Sequence, residues 1–151
     1  MTGVVEFVFE DVARSVVASL FEYLLSRSAE VVALESTEDV GEANARSDEI
    51  LRAAIVSMLD LSILARVRQL EVGQTVIPSA LVRMVKYGIS FDIDVSFDAD
   101  LCALNVKELQ AHVLQIAEEF GVRLCYAGIE PAADPETRFF TSREIGPLTG
   151  K

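Results

Sequence analysis

Apolar and polar positions along the chain follow two different rhythms. Residues 4–9 put Val5, Phe7 and Phe9 on one side and Glu6 on the other, a period of two that predicts a short strand. From Glu10 to about Ser28 the rhythm becomes helical: Asp11, Ser15, Ser19, Glu22 and Ser26 share one narrow arc of a wheel, and almost everything else is apolar. Residues 30–34 are too few for periodicity to separate a strand from a continuation of this helix, and the reading leans towards helix. The acidic stretch from Ser36 to Ser47, with Gly41 and Asn44, reads as a connector.

Ser47 or Asp48 suits a helix N-cap, and Asp48 and Glu49 fit the positive end of its dipole. The sequence therefore predicts a helix over about 48–70. Between Ile50 and Ala65 twelve of sixteen residues are apolar and surround the axis, as in a helix central to a core or held in an interface. Val72 to Pro78 reads as a loop or a short extended piece, and Ser79 to Lys86 as a short helix stopped by Gly88. In residues 89–98, Ile89, Phe91, Ile93, Val95 and Phe97 alternate with Ser90, Asp92, Asp94, Ser96 and Asp98, predicting a strand with one wet face. Asn105 to Phe120 is an amphipathic helix closed by Gly121, followed by strands at 122–127 and 138–141.

These elements give an α+β expectation: a helical N-terminal part, centred on a buried helix at about 48–70, packed on a small, mainly antiparallel sheet from the 4–9, 89–98 and 122–127 regions. The alternative is a ferredoxin-like sheet with a helical insertion. At 151 residues one domain is expected, spanning 1–145, with 146–151 as a frayed tail.

Composition adds a problem. Hydrophobic residues make up 51% of the chain and mean hydropathy is positive, which calls for a place to put the apolar surface. A membrane is not that place: the longest apolar stretch, Ala53 to Ala65, contains Asp60 and is about thirteen residues, against roughly twenty for a spanning helix. The N-terminus carries Glu6, Glu10 and Asp11 where a secretory signal would carry basic residues, so a cytoplasmic protein is expected. Self-association or a protein partner remains, and the apolar side of the first helix supplies interface candidates: Val16, Val17, Leu20, Phe21 and Leu24. A homodimer is the simplest form.

The net charge of −11 argues against nucleic acid and anionic membranes as partners. Charge is uneven. Residues 51–90 carry five basic and two acidic side chains, and Arg66, Arg68, Arg83 and Lys86 form one docking patch if their two predicted helices pack together.

Candidate chemistry is sparse. Asp92, Asp94, Asp98 and Asp100 could offer carboxylates to a divalent ion, with alternate strand positions about 6.5–7 Å apart. Phe97, however, occupies the position where a calcium loop needs glycine, and Ala103 that of the closing glutamate. A solvated strand face accounts for the same letters. His112 is the single histidine, and Cys102 and Cys125 lie too far apart for a CxxC pair. The tail Gly146-Pro-Leu-Thr-Gly150-Lys151 lacks the spacing and the following helix of a phosphate loop. No catalytic set and no cofactor are expected. The functional expectation is a non-enzymatic interaction module, an adaptor, regulator, assembly factor or acidic immunity-type inhibitor, working through an apolar helix face and an acidic surface. The alternative is a small metal-dependent enzyme or metal-binding protein built on the four aspartates.

Overall fold

The computed structural model describes residues 3–38, 46–101 and 105–142. Seven strands, β1 (Val4–Glu10), β2 (Glu30–Ser36), β3 (Leu61–Val72), β4 (Thr75–Tyr87), β5 (Ser90–Asp98), β6 (Leu124–Ile129) and β7 (Arg138–Thr141), form one sheet. Their order is β2-β3-β4-β5-β1-β6-β7, and every neighbouring pair is antiparallel. Helices α1 (Arg14–Ser26), α2 (Ser47–Val56) and α3 (Val106–Glu119) pack on one side of it.

Strand parity explains the sidedness. Val5, Phe7 and Phe9 of β1 pair with Phe97, Val95 and Ile93 of β5, and all six are buried with Val17, Leu20, Phe21, Leu109, Val113 and Ile116 of the helices. Each buried aliphatic or phenyl side chain contributes about 1.5–3 kcal/mol, so a core along six strands absorbs most of the apolar surplus of the composition. The polar arc of α1 points to water: Ser15, Ser19, Glu22 and Ser26 are exposed.

The expected arrangement is corrected at its centre. The helix over 48–70 stops at Val56, and residues 61–72 are β3; the short helix at 79–86 is part of β4; and 30–34 belongs to β2. The architecture is therefore a large antiparallel sheet under three helices, neither a helical body on a small sheet nor the ferredoxin-like alternative. The physical reason lies after Asp60. There Leu61, Ile63, Ala65 and Val67 are buried while Ser62, Leu64, Arg66 and Arg68 are not, a period of two that a helical wheel scatters around its axis. The loop or short extended piece expected at 72–78 is extended except for a two-residue turn: Val72 pairs with Thr75, and Gly73 takes φ +62°, which glycine adopts at no steric cost. Pro78, which has no N–H, lies across from Gln69 at φ +53°, between the Arg68–Ser79 and Leu70–Ile77 pairs. The Gln69 carbonyl accepts from the Ala29 N–H at 3.3 Å.

The basic cluster is corrected as well. Arg83 and Lys86 would share a helix face at a spacing of three, but on a strand an odd spacing puts them on opposite faces. Lys86 points under the helices, is 5% exposed, and donates to the Ala54 carbonyl at 3.2 Å and to the Ser57 carbonyl. It caps the C-terminal end of α2, where carbonyls lack helical partners and the dipole favours a cation. Lys86→Met leaves those carbonyls without a donor and is expected to cost about 2 kcal/mol. Arg66→Met, on the exposed opposite face, is expected to stay within about 0.5 kcal/mol of the parent. Urea denaturation followed by circular dichroism separates the two.

Candidate functional site: the helix-free face of the sheet

Among the described residues the other side of the sheet carries no helix, and its side chains form rows across the strands. One row runs Leu64, Arg83, Asp94, Val8, Tyr126; the next runs Arg66, Leu81, Ser96, Glu6, Gly128. Arginines therefore stand on β3 and β4 and carboxylates on β5 and β1. Where the two halves meet, Glu6, Leu64, Leu81, Arg83, Asp94, Ser96 and Glu130 line a depression of about 170 Å³.

The β6–β7 connection folds over one corner of this face. The Ala132 N–H donates to Glu6 Oε1 at 2.7 Å, the Arg138 guanidinium donates to the carbonyls of Ala132 (3.1 Å) and Ala133 (2.8 Å), and it sits 5.2 Å above the Tyr126 ring. Val8, Tyr126 and Ala132 make a small buried cluster there. Gly128 permits the close return of the chain, since a Cβ at that position would meet Thr137 O and stand 2.7 Å from Arg138 Cα.

The four aspartates do not converge. Asp92 accepts from the Asp11 N–H at 2.9 Å and from the Tyr87 hydroxyl at 3.1 Å. Asp94 is bound to Arg83 at 2.8 and 2.9 Å. Asp98 accepts from the Asp100 N–H at 2.9 Å, and Asp100 lies exposed in the 3₁₀ turn Ala99–Leu101. Among the described residues no three His, Cys, Asp or Glu side chains come together as a metal site. The strand face expected to be wet is also drier than its sequence implies, because Asp94 is only 6% exposed.

Several acids of this face are held by neutral donors. Glu6 takes the Ala132 amide, Glu10 the Tyr126 hydroxyl at 2.7 Å, and Asp92 an amide and a phenol. Such bonds position a carboxylate without cancelling its charge. Burial and the Glu10 carboxylate in turn raise the Tyr126 phenol well above its ordinary range, so it stays a donor. Asp94 differs, with a cation beside it. Burial still pushes its carboxyl up, with Glu6 and Glu130 adding to the effect, and Arg83 offsets this only in part.

The remaining sequence candidates lie elsewhere. Val17, Leu20, Phe21 and Leu24 are 0–3% exposed and Val16 is half-buried, so the apolar side of α1 belongs to the core. Arg66 and Arg68 are exposed on the open face, Arg68 3.6 Å from Glu30. Cys125 is buried under the helices, which pushes its thiol up to about 11 and opposes thiolate chemistry; Cys102 lies outside the described residues. His112 is half-buried on α3, with its pKa lowered by burial and by Arg27. A larger hollow of about 370 Å³ between α1, α2 and β2 is mainly apolar, lined by Phe21, Leu25, Leu34 and Leu51 with Glu22, Arg46 and Asp48. Sequence reasoning missed the pairing of Arg83 with Asp94, although their alternation within strands carried the signal once Ser79 to Lys86 is read as extended.

A carboxyl raised in the folded state binds protons more readily there than in the unfolded chain. Its effect is a loss of stability as pH rises from the ordinary aspartate range through the folded pKa. In urea titrations from about pH 4 to 7, the parent is expected to lose more stability than Asp94→Asn, which lacks the titrating group. Parallel pH profiles would show that Asp94 is not raised.

No curated protein matches the chain. Its fold matches that of a chain in the crystal structure of the toxic C-terminal tip of CdiA from Pseudomonas aeruginosa in complex with immune protein, with a TM-score of 0.86, 28% identity, and coverage of 98% of this chain and 99% of that one. A family model described as PABL017 Cdi1I immunity protein matches residues 3–145, nearly the whole length, and the chain belongs to that family.

Proposed function

We propose that this protein binds the toxic C-terminal domain of a CdiA-type protein and neutralises it by occupancy alone, without a chemical step of its own. The observation that carries this reading is the end-to-end likeness to a chain from a toxin–immune protein complex, reinforced by the family. Two features of the molecule agree with it. That face is a broad surface left free of helices. Its carboxylates at Glu6, Glu10 and Asp92 are held by neutral donors, so their field stays available to a basic partner.

The apolar side of α1 is not part of this proposal, because its residues are inside the core. The acidic surface is. Binding of the purified CdiA-type toxin domain from the same strain, measured by stopped-flow and calorimetry, is expected to weaken by at least about tenfold between low and high salt, mostly through slower association. Co-expression is expected to restore growth to cells producing that domain. Absence of a complex with it at low salt would sink the reading, and affinity indifferent to salt would remove the acidic surface from it.

A further inference from the structure

At one end of the sheet the chain exposes apolar side chains that the fold does not use. Met58 is 98% exposed and Ile89 95%, with Val56, Leu59 and Tyr87 beside them in sequence at 66%, 49% and 48%. Single exposed apolar residues are ordinary, but a cluster drawn from two segments is a mark of an interaction surface. Leu61, the first residue of β3, pairs with Lys86 near the end of β4, so residues 57–60 and 87–89 leave the same end of the sheet side by side. Ile89 is also out of place by turn chemistry. It stands beside Gly88 (φ +60°) between the paired residues Tyr87 and Ser90, where a polar residue or glycine is favoured.

The two segments are fixed in place. The Asp60 carboxylate accepts from the Gly88 N–H at 2.7 Å, the Ser57 hydroxyl accepts from the Leu59 N–H at 3.1 Å, and Lys86 donates to the Ser57 carbonyl from below. Acidic groups adjoin them: Asp60 within the tip, and Asp92, which accepts from the Tyr87 hydroxyl and from the Asp11 N–H. An ordered apolar centre with a charged edge is the anatomy of a protein-binding hot spot.

Resting on the function proposed above, we infer that the tip formed by Met58, Leu59, Tyr87 and Ile89 is the apolar anchor of the toxin-binding surface and enters an apolar pocket edged by basic residues on the toxin domain. The acidic edge selects this occupant over a second copy of the chain. A two-fold contact through the tip would set Asp60, Asp92 and Asp11 of one subunit near the same groups of the other, between molecules that each carry a net charge of −11. A basic partner reverses the sign of that term.

The test compares Met58→Asp, Ile89→Asp and Ile89→Ala with the parent for affinity towards the purified toxin domain, with thermal melting and light scattering alongside. Both side chains are almost wholly in water, so melting temperatures are expected to stay within a few degrees of the parent. Each aspartate variant is expected to weaken binding at least about thirtyfold, mainly through faster dissociation, and Ile89→Ala about tenfold. Parent binding with all three variants within threefold would overturn the tip and leave the toxin-binding function standing. A parent that fails to bind the domain overturns both. A parent dimer that Ile89→Asp converts to monomer would assign the tip to a second copy and overturn the inference.

Discussion

One constraint organises this molecule: among the described residues, a seven-stranded antiparallel sheet is covered by helices on one face only. Every strand long enough to cross the sheet must then put apolar residues at alternate positions and polar ones between. The chain obeys this on β1, β3, β4 and β5, where Phe7, Ile63, Met84 and Ile93 point inward and Glu6, Arg66, Arg83 and Asp92 outward. The high apolar content is the content of one broad core layer, contributed by strands and three helices together. Folding requires no second apolar face, which leaves the outward positions open to other uses.

Because faces alternate, parity decides what each charge can do. Arg83 and Lys86, three residues apart on β4, have opposite roles: one is bound to Asp94 on the open face, the other closes the end of α2 beneath the helices. The buried ammonium is held by carbonyls, which cap a helix end that would otherwise lose its hydrogen bonds. The Asp94–Arg83 pair behaves differently. Attraction between the partners does not recover the desolvation of the carboxylate, the usual outcome when one member of a pair is buried and the other half-exposed. It orients the central part of the face more than it stabilises the sheet.

The sequence made β1, β5, α1, α3, β6 and β7 legible, because each carries one uninterrupted rhythm. Phe91, Ile93, Val95 and Phe97 alternate with polar residues, and Asn105 accepts from the Glu108 N–H at the start of α3. It failed where two rhythms abut without glycine or proline between them. Ile50 to Val56 is helical and Leu61 onward is extended, and the joint Ser57-Met58-Leu59-Asp60 contains two apolar residues. Summed on one wheel, the two patterns look like a helix apolar on all sides. The β3–β4 hairpin hid for a related reason: Pro78 and the glycine turn at Gly73 read as a loop, while the pairing that makes them a strand and a tight turn is tertiary. Arg66, Arg68, Arg83 and the aspartates were visible as residues, but which of them face one another could only follow from the register of β3, β4 and β5.

The joint that defeated the periodicity is also the segment with the most exposed apolar side chain, Met58. These facts have one cause. Residues that neither helix nor strand needs are free of the core's rhythm, so an apolar residue retained there is not explained by folding. The same reasoning applies to the charges. A protein at −11 carries self-repulsion that works against compactness, and the inexpensive remedy would be to place cations among the acids of β1 and β5. Arg83 does this at Asp94, whereas Glu6, Glu10 and Asp92 are oriented by amides and phenols, which fix direction and leave the field intact. Fixed carboxylates at Asp92 and Glu10 beside a fixed apolar tip lower the ordering cost of association, and under the function proposed above that economy is realised when a partner supplies the missing positive charge.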